Sequence, residues 1–217
     1  MTDIAEKVLP RPDLTDIPYV CADMTMFVDG SSRKNLDGTN ATGYAVVTTE
    51  SVLSAKALPR HYSAQAAELI ALTEECKIAK EKVVNIYTDS QYAFSTVHVF
   101  AQQWKNRGMV TSTGKPINHK ELILNLLDAI QLPKKLAICK CAAHTRGTDY
   151  VSVGNHKADE EAKKAAQLSV DMFLSKPQET YLDQQVLKDM QMSASAAEKE
   201  KWKNKGAQID KNTGLYM

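Results

Sequence analysis

No stretch of this 217-residue chain approaches the 18 or more consecutive apolar residues of a membrane span. The N-terminus also lacks the basic-then-apolar pattern of a secretory signal, so neither a membrane partner nor export is expected. Cysteine is scarce: Cys21, Cys76, Cys139 and Cys141 are the only four, and none sits in a CxxC pair. That spacing argues against zinc and for a reduced, intracellular setting, in cytoplasm or nucleus. No internal repeat and no long low-complexity tract is present. Charge of either sign is scarcely in excess, the net being +1 from 27 basic and 26 acidic residues. Taken alone, this argues mildly against a strongly basic nucleic-acid binder. What the chain does have is 43% hydrophobic residues, too many for a disordered protein and enough to bury a core. The length suits one domain with extensions, or two small domains.

The charge is unevenly spread. Residues 1–23 carry Lys7 and Arg11 against Asp3, Glu6, Asp13, Asp16 and Asp23, a net of −3. Residues 169–217 balance at zero, which leaves +4 on 24–168. Pro10, Pro12 and Pro18 punctuate the acidic stretch, which reads as an extended lead-in or linker. Beyond Leu168 the hydrophobic pattern loosens, and a Lys/Glu/Ala segment over 194–205 predicts a short helix. The expected organisation is a lead-in (1–23), a central domain (24–168) and a tail (169–217).

Within the central domain, 24–29 (MTMFVD) predicts a short strand ending at a Gly30-Ser31-Ser32 turn. Segments 43–49 and 51–58 complete an antiparallel meander, which Pro59 stops. Ser63 then caps a helix to about residue 80, with Leu69, Leu72, Cys76 and Ala79 on one apolar stripe. Residues 83–88 (VVNIYT) predict a buried strand ending at Asp89. Ser90 caps a second helix to about residue 106. Asn118 with Glu121 predicts a capping box for a third helix, to about residue 131. A strand over 136–142 follows, then a loop with His144, and a last helix over about 156–168. The order βββ-α-β-α-α-β-α implies an α/β fold, a mixed sheet with helices packed on it.

Four acids stand out in that order. Asp29 and Asp89 each end a strand, Glu68 lies at the edge of the first helix's apolar stripe, and Asp159 falls in the first turns of the last helix. Should the first and fourth strands pair in parallel through the 63–80 crossover, Asp29 and Asp89 become neighbours within reach of Glu68. Clustered carboxylates repel and desolvate one another unless cations neutralise them. Hard oxygen ligands suit Mg²⁺ or Mn²⁺, and two such ions about 3.5–4 Å apart clamp an in-line phosphoryl displacement. Singly, each acid is as readily a turn former, a solvated edge residue or a dipole partner. The joint pattern is what favours a metal centre.

Several motifs in this order resemble type 1 ribonuclease H domains, in particular those of gammaretroviral reverse transcriptases. They are FVDGSS (27–32), AKALP (55–59), SAQAAELIALT (63–73), IYTDSQYAF (86–94), LPKKLAI (132–138), CAAHTRG (141–147) and GNHKADEEAKKAA (154–166). RPDLTD (11–16) is similar to the junction that precedes the domain in such polyproteins. The resemblance implies a ribonuclease H-like fold, a five-stranded mixed sheet with helices on both faces. It implies metal-binding carboxylates at Asp29, Glu68, Asp89 and Asp159, with His144 assisting proton transfer or product release. The cofactors would be two Mg²⁺ ions, with Mn²⁺ as a substitute.

The implied reaction is hydrolysis of the RNA strand of an RNA–DNA hybrid by two-metal-ion catalysis, leaving 5′-phosphate and 3′-hydroxyl ends. Gly30, Ser31 and Gln65 would lie near the RNA strand, and Ser90 and Tyr92 near the substrate backbone. Trp104, Lys105 and Arg107 occupy the place of the family's basic substrate-gripping protrusion, which is thinly basic here. The tail resembles the opening of a gammaretroviral integrase; a solvated amphipathic tail is the equal alternative. The expected context is a monomer, or part of a polyprotein carrying a reverse-transcriptase polymerase domain, in a retroelement-derived gene. A catalytically silent, domesticated hybrid-binding module stays open as the alternative.

Overall fold

In a computed structural model, the chain divides into two compact units, Met1–Leu174 and Ser175–Met217. The structure describes residues 9–36, 38–143 and 147–174 of the first and, of the second, only the helical residues 199, 200 and 204. The expected tail helix therefore lies largely outside the described residues, as does His144.

The first unit is built on a five-stranded sheet: β1 (Met24–Lys34), β2 (Asn40–Val47), β3 (Val52–Leu58), β4 (Val83–Thr88) and β5 (Lys135–Lys140). Their spatial order is β3-β2-β1-β4-β5. β1 pairs antiparallel with β2, and β2 with β3; β4 lies parallel to both β1 and β5. The parallel β1–β4 contact follows from the crossover helix α1 (Ala64–Ile78). Ser63 caps that helix by accepting a hydrogen bond from the Ala66 N–H. Leu69, Leu72, Cys76 and Ala79 of its stripe are fully buried.

Helices cover both faces. On one, α1 and α4 (Lys120–Ala129) close a core containing Met26, Val28, Ile86, Leu126, Leu136 and Ile138. On the other, α5 (Tyr150–Leu174) lays Ala158 and Ala162 against Phe27, Ala45 and Val47. Alternate β1 residues thus supply both cores, as the two-residue period of a strand requires. Among the described residues, no helix is long and apolar enough to cross a membrane.

Several local expectations are corrected. β1 does not turn at Gly30 but continues to Lys34, paired residue by residue from Gly30–Tyr44 to Lys34–Asn40. Glycine is needed there because α1 comes so close: a Cβ on residue 30 would stand 2.5 Å from the Glu68 backbone nitrogen. The last helix begins at Tyr150 and runs straight through Gly154-Asn155. Gly154 seats on the Phe27 ring, where a Cβ would fall 2.2 Å from Cε2, so this glycine marks a close contact and not a break.

The helix expected over 90–106 contains a π-helical segment. α2 (Gln91–Ser95) passes into π turns at Thr96–Phe100 and then α3 (Ala101–Asn106). The capping box at Asn118 does not form; His119, with φ 60°, is the N-cap of α4 and makes no side-chain cap bond. The lead-in packs too. Thr15 bridges Ala137 of β5, Leu14 joins the core, and the buried Arg11 guanidinium donates to the Ile130 and Pro133 carbonyls while pairing with Asp13. These contacts cover the β5 edge, a place where unpaired strand groups would otherwise face solvent.

Candidate metal centre

β1 and β4 run side by side and in the same direction, in a register that ends at Val28–Thr88, so Asp29, midway along β1, and Asp89, just past the end of β4, come to one point. α1, crossing from β3 to β4, passes over that point with Glu68 turned inward. One ligand atom from each of Asp29, Glu68 and Asp89 lies within 4.8 Å of the others. Asp29 is buried at 7% exposure, while Glu68 and Asp89 are half-buried.

Electrostatics set this group apart from an ordinary surface cluster. Burial raises the Asp29 carboxyl to about 6, with Asp89 and Asp159 pushing the same way and the Gly30 backbone N–H and Lys163 opposing. Burial also raises Glu68 well above the usual carboxylate range, reinforced by Asp29 and Asp89. Glu68 Oε2 is shut off from solvent with no hydrogen-bond partner. An orphaned acceptor among repelling carboxylates is an arrangement that a divalent cation would relieve. All three ligands are oxygen donors, which fits Mg²⁺ or Mn²⁺ and not a thiolate-preferring metal.

The fourth acid stands to one side. Asp159, on α5, is close enough to raise Asp29, but its carboxylate pairs with Lys163 at 2.7 Å. The side chains around Asp89 are equally specific. Asn155 Nδ2 donates to Asp89 Oδ2 at 3.0 Å, and the Cys141 thiol donates to Asn155 Oδ1 at 3.3 Å. Lys140 Nζ donates to the Asp89 carbonyl. Asn155, Lys163 and Lys140 were not singled out from sequence. The available signal was that Asn155 and Asp159 lie four apart, on one face of a helix, and it is lost once Gly154-Asn155 is taken for a loop.

The other expected site residues are more scattered. Ser31 lines a cavity of about 380 Å³ together with Ser32, Arg33, Lys163, Lys164 and Gln167. Gln65 is exposed in the first turn of α1. Ser90 accepts from the Ala93 N–H and so serves as the cap of α2. Tyr92 packs against the core with its ring edge-on to His119. Trp104 stacks on Phe100 with ring centroids 5.3 Å apart, and Lys105 and Arg107 are exposed beside it. Gly30 has the packing role given above.

Fold and site together define an α/β domain with a carboxylate cluster where two adjacent parallel strands meet a crossover helix, an arrangement that suits a divalent-ion-dependent hydrolase. The RNase H family model matches residues 22–167, and the chain belongs to the RNase H family. By that membership it is a ribonuclease H, a hydrolase.

Its relatives are retroviral. It is 51% identical over 166 residues to the Gag-Pol polyprotein of Koala retrovirus, matching 76% of this chain and 10% of that protein. It is 47% identical over 163 residues to the Pol polyprotein of Radiation murine leukemia virus (strain Kaplan), matching 75% of this chain and 28% of that one. The chain thus spans between a tenth and just over a quarter of these relatives.

Among solved structures, a foamy viral protease-reverse transcriptase in complex with double-stranded DNA aligns with TM-score 0.57 at 26% identity. That alignment covers 68% of this chain and 94% of that one. The same type of protein in complex with an RNA/DNA hybrid aligns with TM-score 0.58 at 24% identity, covering 73% of this chain and 23% of that one. This second likeness supports the ribonuclease H fold.

Proposed function

We propose that this chain cuts the RNA strand of RNA–DNA hybrids by two-metal-ion catalysis, leaving 5′-phosphate and 3′-hydroxyl ends. The observation that carries the reading is the convergence of Asp29, Glu68 and Asp89 within 4.8 Å. Asp29, Glu68 and Asp89 would hold the divalent ions, Mg²⁺ or Mn²⁺, with Asp159 on the flank. Ions held there supply Lewis-acid polarisation of the phosphate and a water nucleophile at neutral pH.

The chain's own residues do the rest. β1 and the end of β4 fix two carboxylates on a rigid sheet, and α1 sets the third against them. In the cleavage, a water oxygen forms a bond to phosphorus as the bond from phosphorus to the 3′ oxygen breaks. His144, in the segment before α5, is assigned to moving a proton or releasing product. Gly30, Ser31 and Gln65 are placed at the RNA strand, where the 2′-hydroxyl distinguishes it from DNA. Ser90, Tyr92, Trp104, Lys105 and Arg107 are placed at the substrate backbone. The functional division is a nuclease domain over 24–168 between a lead-in and a tail. The chain works in the cell interior, either as a monomer or within a polyprotein beside a polymerase domain.

The test uses a hybrid labelled separately on each strand, incubated with the purified chain and Mg²⁺ or Mn²⁺. The RNA strand is expected to shorten to 5′-phosphate products while the DNA strand stays intact. Hybrid binding without cleavage under any divalent ion would instead establish the silent binding module.

A further inference from the structure

The Asp89 carboxylate is held by a short chain of hydrogen bonds that joins α5 to the segment just beyond β5. Asn155, four residues before Asp159 on α5, is buried at 4% exposure. Its amide nitrogen donates to Asp89 Oδ2 at 3.0 Å. Its amide oxygen accepts from the Cys141 thiol, just beyond β5, at 3.3 Å. An asparagine amide can be turned either way, and only one way presents N–H to a carboxylate. The thiol decides which: a donor at Sγ requires the amide oxygen to face Cys141 and therefore the amide nitrogen to face Asp89. Burial, assisted by the charge of Asp89, raises the Cys141 thiol to about 12, so it remains a donor at neutral pH.

We infer that Cys141 and Asn155 are positioning residues that orient the Asp89 carboxylate for ion binding. The inference rests on the metal-centre reading above. One Asp89 oxygen, Oδ2, is committed to the Asn155 amide, which restricts rotation of the carboxylate beside Glu68 and Asp29. Partners that orient a ligating carboxylate in this way typically account for about 10–100-fold in metal affinity or activity. Neither residue touches the substrate or the ions in this arrangement; both act through Asp89.

The full chain carrying Cys141→Ala, Cys141→Ser, Asn155→Ala or Asp89→Asn provides the test. Mn²⁺ affinity is measured without substrate by electron paramagnetic resonance, and hybrid cleavage is measured across a Mg²⁺ titration. Asn155→Ala is expected to weaken Mn²⁺ binding by about 10-fold or more. Cys141→Ala should weaken it by a smaller factor, and Cys141→Ser, which keeps a hydroxyl donor, should bring it back toward wild type. The Mg²⁺ midpoint for cleavage should move in parallel, with a smaller change at saturating ion. Wild-type Mn²⁺ affinity in both alanine variants would overturn the inference, even with Asp89→Asn inactive. Equal loss in Cys141→Ser and Cys141→Ala would also overturn it, because a donor would then not be what matters. Cleavage by Asp89→Asn at the wild-type rate would instead overturn the metal-centre reading itself. The cysteine pair keeps the test decisive should Asn155→Ala fail to fold.

Discussion

Of the three glutamates on α1, Glu68 and Glu75 lie seven residues apart and meet opposite fates. Both turn toward the interior, both have a carboxylate oxygen without a hydrogen-bond partner, and burial raises both well above the usual range. Glu68 sits among Asp29 and Asp89 at the open end of the sheet. Glu75 is 0% exposed within the core, with both oxygens unpartnered and burial the sole cause of its shift. The difference teaches that a perturbed acid is not by itself a site. Convergence is what distinguishes them: repulsion among several carboxylates creates a place for a cation, whereas isolation creates only a cost.

Activity should separate the two most widely. On the proposed function, Glu68→Gln would remove an ion ligand, and an ion there would supply several kcal/mol of transition-state stabilisation, so a loss of about 100-fold or more in hybrid cleavage is expected. Glu75→Gln should stay within about two-fold of wild type in the same assay. Comparable losses in both would break the comparison.

Stability should move the other way. Leaving a buried polar group unsatisfied costs about 1–3 kcal/mol, so Glu75→Met should raise the melting temperature at neutral pH. About 2–4 °C per kcal/mol is expected for a protein of this size. The sign with pH follows from the raised pKa of the folded state. The protonated form is favoured on folding, so the part of the cost that comes from the raised pKa is absent below the unfolded glutamate value of about 4.3. It grows as pH rises toward the folded value. The advantage of Glu75→Met should therefore shrink in acid toward the cost of the unpartnered neutral carboxyl alone, as thermal melts from pH 4 to 8 would show.

Asp29 sharpens the same contrast. Its folded carboxyl lies near 6, above the unfolded value, so the ion-free protein should lose stability as pH rises from about 4 to about 6. Mg²⁺ should restore part of that loss at neutral pH by binding only the folded state, adding about 1.4 kcal/mol at ten times Kd. Glu68→Gln should abolish most of the ion-dependent gain and Glu75→Met should keep it, as melts with and without Mg²⁺ would show. The smallest effect concerns the thin protrusion. Replacing both Lys105 and Arg107 by alanine should reduce the slope of log affinity against log salt by about two, measured with a catalytically dead variant on hybrid.

Much of the centre was legible in the sequence because it depends on which strands are neighbours. VVNIYT followed by Asp89, and MTMFVD carrying Asp29, bring two acids together wherever a helical crossover makes those strands parallel neighbours, even though β1 runs on past Asp29 to Lys34. Glu68 was legible as the polar edge of an apolar stripe. Close backbone contact was not legible. Gly30 and Gly154 resemble turn glycines in sequence, yet one admits α1 and the other receives the Phe27 ring. The π turns at Thr96–Phe100 and the left-handed cap at His119 depend on tertiary packing, which overrides local propensity. The Asn155 bond to Asp89 required the true start of α5, which the misread Gly154 concealed.

The central claim is that Asp29, Glu68 and Asp89 act as one ion-dependent centre on an RNA–DNA hybrid. Its most direct measurement is cleavage of a labelled hybrid by wild type and Asp89→Asn, each with Mg²⁺, with Mn²⁺ and with chelator. The account predicts cutting by wild type only when a divalent ion is present, and none by Asp89→Asn at any ion concentration. Cutting in chelator, or equal cutting by the two proteins, would contradict it.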